Sequence, residues 1–212
     1  MRRRLGLEEG DVLTVELSGR SIVLTPAVVS PIELYTDERI AEFAAAAALA
    51  PAEAERARGV AAAPAVSPRA SVSAPPLVFL DANVLFSAAV GGPAFELLLG
   101  LARARRVRLV TIRECLLEAE RNLERKRADR RPALARVLAR VAIADLEPAD
   151  EHAEWARQLV ALDDVHVLAA ARAILADVLV TGDVTHFGRL RERDDLPLRV
   201  RTPRTFLLEG PG

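Results

Sequence analysis

Two aspartates each stand just beyond a short, fully apolar run, which is where carboxylates do chemistry in an α/β protein. Asp81 follows Leu77–Leu80 directly, and Asp183 follows Val178–Val180 after only Thr181 and Gly182. Asp164, with Asp163 beside it, opens an apolar segment that reads as a helix. Aspartate is a favoured N-cap, worth about 1 kcal/mol, so Asp164 reads equally as a cap and as a ligand. A further acid comes from residues 112–127, whose apolar stripe is Ile112, Leu116, Ala119 and Leu123. The wheel does not place Glu118 squarely on that stripe and Glu120 lies nearer to it, so periodicity alone does not choose between them.

Several hard oxygen ligands converging on one sheet edge favour Mg2+ or Mn2+. Cys115 is the only cysteine, which excludes an internal disulfide and a cysteine-based metal site, and the three histidines share no ligand spacing. Packed carboxylates repel one another, and a divalent cation relieves that repulsion. Such a cation activates water and neutralises charge on a phosphate, the requirements for phosphodiester hydrolysis. Thr181 and Thr185 flank Asp183, with hydroxyls placed to orient a bound water; strand propensity and turn capping explain the same two residues without chemistry.

The elements that must hold these acids alternate after Pro76. Apolar strands are expected at Leu77–Leu80, residues 108–111, 141–144, 178–181 and 198–200, with helices at residues 95–105, 112–127, 132–140, 149–161, 165–175 and 203–207. Continuous apolar strands separated by helices imply an α/β fold with a parallel sheet covered on both faces. Before Pro76 the chain differs. Residues 12–17 and 22–24 read as two strands around Ser18-Gly19-Arg20-Ser21, too small to fold alone. Thr36 and Asp37 can cap a helix over residues 38–48. Residues 51–76 carry Pro51, Pro64, Pro68, Pro75 and Pro76 among Ala, Ser and Val, and read as a linker in which residues 52–58 can form a turn or two of helix.

With a net charge of −1, the chain as a whole is no electrostatic glove for nucleic acid. Residues 103–140 hold 13 Arg or Lys against five acids, which suits a phosphate-facing surface and a solvated helical face equally well. The longest apolar runs, such as residues 43–50, fall well short of the roughly 18 residues a membrane span needs, so no membrane association and a cytoplasmic location are expected.

The stretches LVFLDANVLFSAAVGG, LLEAERNLERK, LDDVHVLAAA and DVLVTGDVTHF, in that order, resemble the PIN-domain family over residues 77–208. The resemblance implies a three-layer α/β fold with a central parallel sheet and a metal-dependent ribonuclease activity, as in the toxins of bacterial and archaeal toxin-antitoxin pairs. It implies Asp81, Glu118, Asp164 and Asp183 as the catalytic, metal-holding set, with Asn83 orienting Asp81 and Asp163 as an accessory. It favours Glu118 over Glu120, and RNA as the substrate. An aspartyl-phosphate phosphatase also opens with an Asp after a strand, but wants a second Asp where Asn83 stands, and no G-x-G-x-x-G follows the first strand for a dinucleotide. A catalytically silent PIN-fold regulator or scaffold is the alternative.

The front of the chain, LGLEEGDVLTVELSGRSIVLTP followed by IELYTDERIAEF, resembles the second half of an AbrB or VapB-type antitoxin and its toxin-covering tail. This divides the chain into an antitoxin-like segment at residues 1–50, a linker at 51–76 and a PIN domain at 77–208. The resemblance lacks the strand and short helix that precede L-G-L in that family, where only Arg2, Arg3 and Arg4 stand, which puts DNA binding of the antitoxin kind in doubt. A tail of this type implies an inhibitory arm, with Arg39 reaching the carboxylates and Phe43 filling an apolar pocket. Docking within one chain or onto a neighbouring copy both suit a linker of this length, the second giving a homodimer.

Overall fold

The structure is a computed structural model that describes residues 12–19, 21–27, 33–62 and 74–211. The expected features at residues 2–11 and the Pro-rich segment 63–73 lie outside the described residues. Two compact units divide at Ile32. In the first, β1 (Val12–Ser18) and β2 (Ser21–Ala27) form an antiparallel hairpin whose register brings Ser18 opposite Ser21. Gly19 takes φ 61°, the left-handed conformation that so short a turn requires.

The second unit begins with α1 (Asp37–Ala47) and α2 (Pro51–Ala62), followed by β3 (Leu77–Leu80), α3 (Ala82–Val90), α4 (Pro93–Arg103), β4 (Arg108–Ile112) and α5 (Arg113–Lys126). It continues through α6 (Arg131–Leu138), β5 (Val141–Ala144), α7 (Asp150–Arg157), α8 (Val165–Ala173), β6 (Val178–Val180), α9 (Val184–Phe187), β7 (Arg199–Arg201) and α10 (Pro203–Glu209). The five strands β3 to β7 make one fully parallel sheet in the order β5-β4-β3-β6-β7. The chain moves outward from β3 to β5, then returns to the other side of β3, so the direction of winding reverses between β3 and β6. A crevice opens at the carboxyl ends of the strands at such a reversal. Asp81 and Asp183 are the residues that leave β3 and β6 on that side.

Central strands covered on both faces must be apolar throughout, and Val78, Phe79, Leu80, Val178, Leu179 and Val180 are all buried. One expectation is corrected, and one helix is present that was not expected. Pro51–Ala62 is a helix of 12 residues rather than linker. Proline at its first position suits a helix start, and the alanines at 54 and 57 bury against the body of the unit. Arg106 fixes its far end by donating from Nη1 to the carbonyls of Val60 and Ala61 at 3.0 and 3.2 Å. Ala82–Val90 forms a helix that apolar patterning concealed, because nearly every face of it is buried. Gly91 and Gly92, both at positive φ, break it from α4.

Helix α1 lies across this sheet edge, with Phe43 only 1% exposed. Its ring meets the Tyr35 ring edge-on at 5.0 Å, and Tyr35 meets Phe86 of α3 in the same way at 5.3 Å. Removing the Phe43 side chain leaves a cavity on the arm side of the core alone. Phe43→Ala should therefore weaken α1 docking by about 3 kcal/mol. In hydrogen exchange, the amides of α1 should lose protection while those of β3 and β6 keep theirs.

Candidate active site

Asp81 is the N-cap of α3, and Oδ1 accepts from the Ala82 N–H at 2.6 Å. Its Oδ2 accepts from Asn83 Nδ2 at 2.6 Å and from the Thr181 hydroxyl at 2.7 Å. Asn83 bridges the two strands, since its Oδ1 accepts from the Gly182 N–H at 2.7 Å. Thr181 Oγ1 in turn accepts from the Asp183 N–H at 3.0 Å. Asn83 and Thr181 lock the ends of β3 and β6 into one hydrogen-bonded frame, and the Thr181 hydroxyl, expected to orient a bound water, is engaged with Asp81, Asn83 and the Asp183 N–H instead. Gly182 is needed within it, because a Cβ there would meet Asn83 Oδ1 at 3.1 Å and the Cα and Cβ of Phe43 at 3.3 Å.

Asp183 is also an N-cap, with Oδ1 accepting from the His186 N–H at 2.8 Å. Asp164, the acid with the plainest capping position in the sequence, makes no capping hydrogen bond. Its Oδ2 is buried without a hydrogen-bond partner. The carboxylate is therefore not spent on the helix. Asp163 is exposed beside it. Glu118 is buried on α5 while Glu120 is only half-buried. The buried face of that helix is Cys115, Glu118, Ala119, Asn122 and Leu123, so it includes two polar residues, while Leu116 of the expected apolar stripe is only partly buried.

Crowding acids in a dry crevice makes their charge expensive. Burial, with the charges of Asp164 and Asp183 adding to it, raises Asp81 to about 7 against the hydrogen bonds from Thr181 and Ala82. Burial and the charge of Asp81 raise Glu118 to about 8. Burial likewise raises Asp164 to about 6, although His186 opposes it.

The arm meets these acids at several points. Arg39 Nη2 pairs with Asp183 Oδ2 at 2.5 Å and Nη1 reaches Oδ1 at 3.2 Å, a two-pronged contact. Arg39 Nε donates to Glu33 at 2.9 Å, Nη1 also pairs with Glu42, and the guanidinium lies 4.9 Å over the Phe43 ring. The Tyr35 hydroxyl donates to Glu118 Oε1 at 2.7 Å, while the Tyr35 N–H donates to Asn122 Oδ1 at 2.8 Å. Asn122 Nδ2 returns a bond to the Glu33 carbonyl at 2.7 Å, and Lys126 Nζ pairs with Asp37 at 2.7 Å. Glu42 Oε1 accepts from the N–H groups of Val184 and Thr185, each at 2.8 Å, and from the Thr185 hydroxyl at 3.0 Å. Thr185, expected to face a bound water, is thus held by the arm.

The sequence profile of the PIN domain matches residues 77–185. The chain belongs to the PIN domain family. The matched segment carries Asp81, Glu118, Asp164 and Asp183. A chain in the crystal structure of VapBC2 from Rickettsia felis bound to a DNA fragment from their promoter is similar at 18% identity and a TM-score of 0.48, over 59% of this chain and 98% of that one. None of the curated proteins matches the chain in sequence.

Three residues at this PIN-domain edge escaped the sequence reading. His186 lies one helical turn after Asp183, a spacing that puts it on the same face; its Nδ1 stands 3.1 Å from Asp164 Oδ2 and 2.9 Å from Asp183 Oδ2. Glu42 bears the same relation to Arg39, three residues on in α1. Tyr35 is the only tyrosine, and a buried phenol needs a polar partner for its hydroxyl. The raised acids also set a pH dependence. The folded state binds protons on Asp81 and Glu118 more tightly than the unfolded chain, so that contribution to stability is complete below about pH 4 and declines as pH rises through the folded values. In chelator, Tm should fall from pH 5 to pH 8, and Asp81→Asn should flatten the slope.

Proposed function

We propose that this chain is a metal-dependent endoribonuclease of the PIN toxin type whose active site is covered by its own antitoxin-like arm. The observation that carries the reading is Arg39 seated on both oxygens of Asp183. A cation has entered the carboxylate crevice, and it belongs to residues 33–47 rather than to the sheet that built the site. Asp81, Glu118, Asp164 and Asp183 are the residues that would hold Mg2+ or Mn2+. The donor set fits a hard cation, since all four are carboxylates, three have protonation constants raised by burial and like charge, and Asp164 Oδ2 is an orphaned buried oxygen. Bound there, the metal would activate water and stabilise the charge that builds on a phosphodiester in flight.

The chain's own residues prepare that chemistry. Asn83 and Thr181 fix the direction of Asp81, and the Ala82 N–H holds its second oxygen. Beside Asp183, the N–H groups of Val184 and Thr185 and the Thr185 hydroxyl all donate to Glu42 Oε1. The arm therefore holds both Asp183 and the residues that follow it: Arg39 stands where a cation would, and Glu42 ties down the start of α9. Tyr35 closes the side at Glu118. RNA as the substrate, and the antitoxin-like origin of the arm, rest on the family resemblances in the sequence. The arm reaches this crevice within one chain, and because it is tethered its effective concentration is on the order of millimolar.

The test compares cleavage of a mixed-sequence RNA in Mg2+ or Mn2+ by full-length protein and by Arg39→Ala. The variant should cleave at least about tenfold faster, because it removes the arm's hold on Asp183 and raises the fraction of open sites. Adding Asp183→Asn to Arg39→Ala should abolish cleavage. Equal rates for wild type and Arg39→Ala would remove self-inhibition, and cleavage that survives Asp183→Asn would favour a silent PIN scaffold copurifying with another nuclease.

A further inference from the structure

His186 sits at the junction of two acids with its inner nitrogen unspent. Nδ1 is buried without a hydrogen-bond partner, and so is Asp164 Oδ2, 3.1 Å away. Asp183 Oδ2 is 2.9 Å from the same nitrogen. The three ligand atoms lie within 4.8 Å of one another. The backbone explains why they converge. Asp183 Oδ1 is turned back to cap α9 through the His186 N–H at 2.8 Å, which leaves Oδ2 facing the imidazole one turn on. Asp164, freed from capping α8, faces it from the other side.

Cations of the Mg2+ and Mn2+ class hold ligands at about 2.1 Å, so adjacent ligands in an octahedron are about 3 Å apart. The two contacts at His186 have that spacing. The same two distances suit an ion pair with an imidazolium, but neither contact has hydrogen-bond geometry, which leaves the buried Nδ1 and Asp164 Oδ2 both without a hydrogen-bond partner. The ring is partly open, with 36% of its side chain exposed, while Nδ1 itself is buried against the two acids.

We infer that His186 Nδ1 is a metal ligand shared with Asp164 and Asp183, making this part of the site a mixed nitrogen and oxygen centre that favours an imidazole-accepting cation such as Mn2+ over Mg2+. The inference rests on the metal-dependent reading of the same carboxylates. It adds a residue outside the all-carboxylate set, and a metal preference that four acids alone would not give. Mg2+ takes oxygen ligands almost exclusively, whereas Mn2+ accepts nitrogen as well. In the covered state Arg39 Nη2 holds the Asp183 oxygen that faces His186, so the arm and the ion compete for one ligand atom.

The experiment uses full-length protein carrying Arg39→Ala, with wild type alongside. Mn2+ is added and the bound ion is examined by pulsed electron paramagnetic resonance, with and without 15N-histidine labelling, while Mn2+ and Mg2+ affinities are measured by calorimetry. A nitrogen coupling that changes from 14N to 15N on histidine labelling is expected, and it should vanish in Arg39→Ala/His186→Leu. That second substitution should weaken Mn2+ by about tenfold and leave Mg2+ within about twofold. Bound Mn2+ with no histidine coupling would overturn the inference and leave the nuclease reading standing. Tighter binding of both ions by the His186→Leu protein would show a counter-charge instead of a ligand, with the same consequence. Failure of Arg39→Ala to bind either ion would overturn the metal-dependent reading and this inference together. Should the His186→Leu protein not fold, the labelled spectrum of the Arg39→Ala protein decides alone.

Discussion

Four carboxylates gathered where a parallel sheet reverses its winding cannot all keep their charge in a dry crevice, and the rest of this molecule answers that constraint. Burial and mutual repulsion raise Asp81 to about 7 and Glu118 to about 8, so near neutral pH these two acids hold protons for much of the time. Asp183 meets the same constraint differently: it caps α9 and accepts two nitrogens of Arg39. Relief comes from protons on one side of the crevice and from a guanidinium on the other. Each is a weaker solution than a divalent ion, which would reach several of the acids at once.

The arm is built to deliver that guanidinium. Phe43 and Tyr35 supply apolar area, Asn122 fixes the extended lead-in to α1, Lys126 pairs with exposed Asp37 at the helix start, and Glu42 ties the helix to the start of α9. A buried ion pair contributes little to net stability once desolvation is counted, but removing one partner leaves the other charged and unpaired. Docking strength therefore resides in the aromatic contacts, and Arg39 with Asp183 decides whether the docking is in register. By linkage, any ligand that takes Asp183 from Arg39 weakens the arm by the same factor that the arm weakens that ligand.

Legibility in the sequence followed local physics. Strands buried on both faces announce themselves as apolar runs, so the sheet and the two acids at its edge could be placed from residues 77–81 and 178–183 alone. Helix α3 could not, because a helix buried on nearly every face has no polar side to give it a period. Helix α2 was hidden by prolines that proved to lie at its first position or beyond its end. Glu118 and Asn122 defeated the helical wheel for a related reason. A wheel looks for apolar residues inside, and here the inside is polar because the arm supplies Tyr35 OH, the Tyr35 N–H and the Glu33 carbonyl as partners. With the arm in place, both polar residues of the buried face of α5 have partners.

That last point bears on what opening would require. Asn122 is 1% exposed, and its amide exchanges three hydrogen bonds with Glu33, Tyr35 and the Glu118 carbonyl, two of which the arm provides. Lifting the arm leaves those groups to water or to another polar ligand, which costs little because the crevice then opens to solvent. Leaving Asp81, Glu118, Asp164 and Asp183 together without a cation costs more, and hydration of an opened edge only partly offsets it. On the proposed reading, an empty, uncovered site would be the least stable of three arrangements, behind the covered one and a metal-filled one. On that reading, the arm and a metal would be alternative occupants of one charged crevice, and because Asp81, Glu118, Asp164 and Asp183 would hold that metal as carboxylates, its binding would tighten as pH rises.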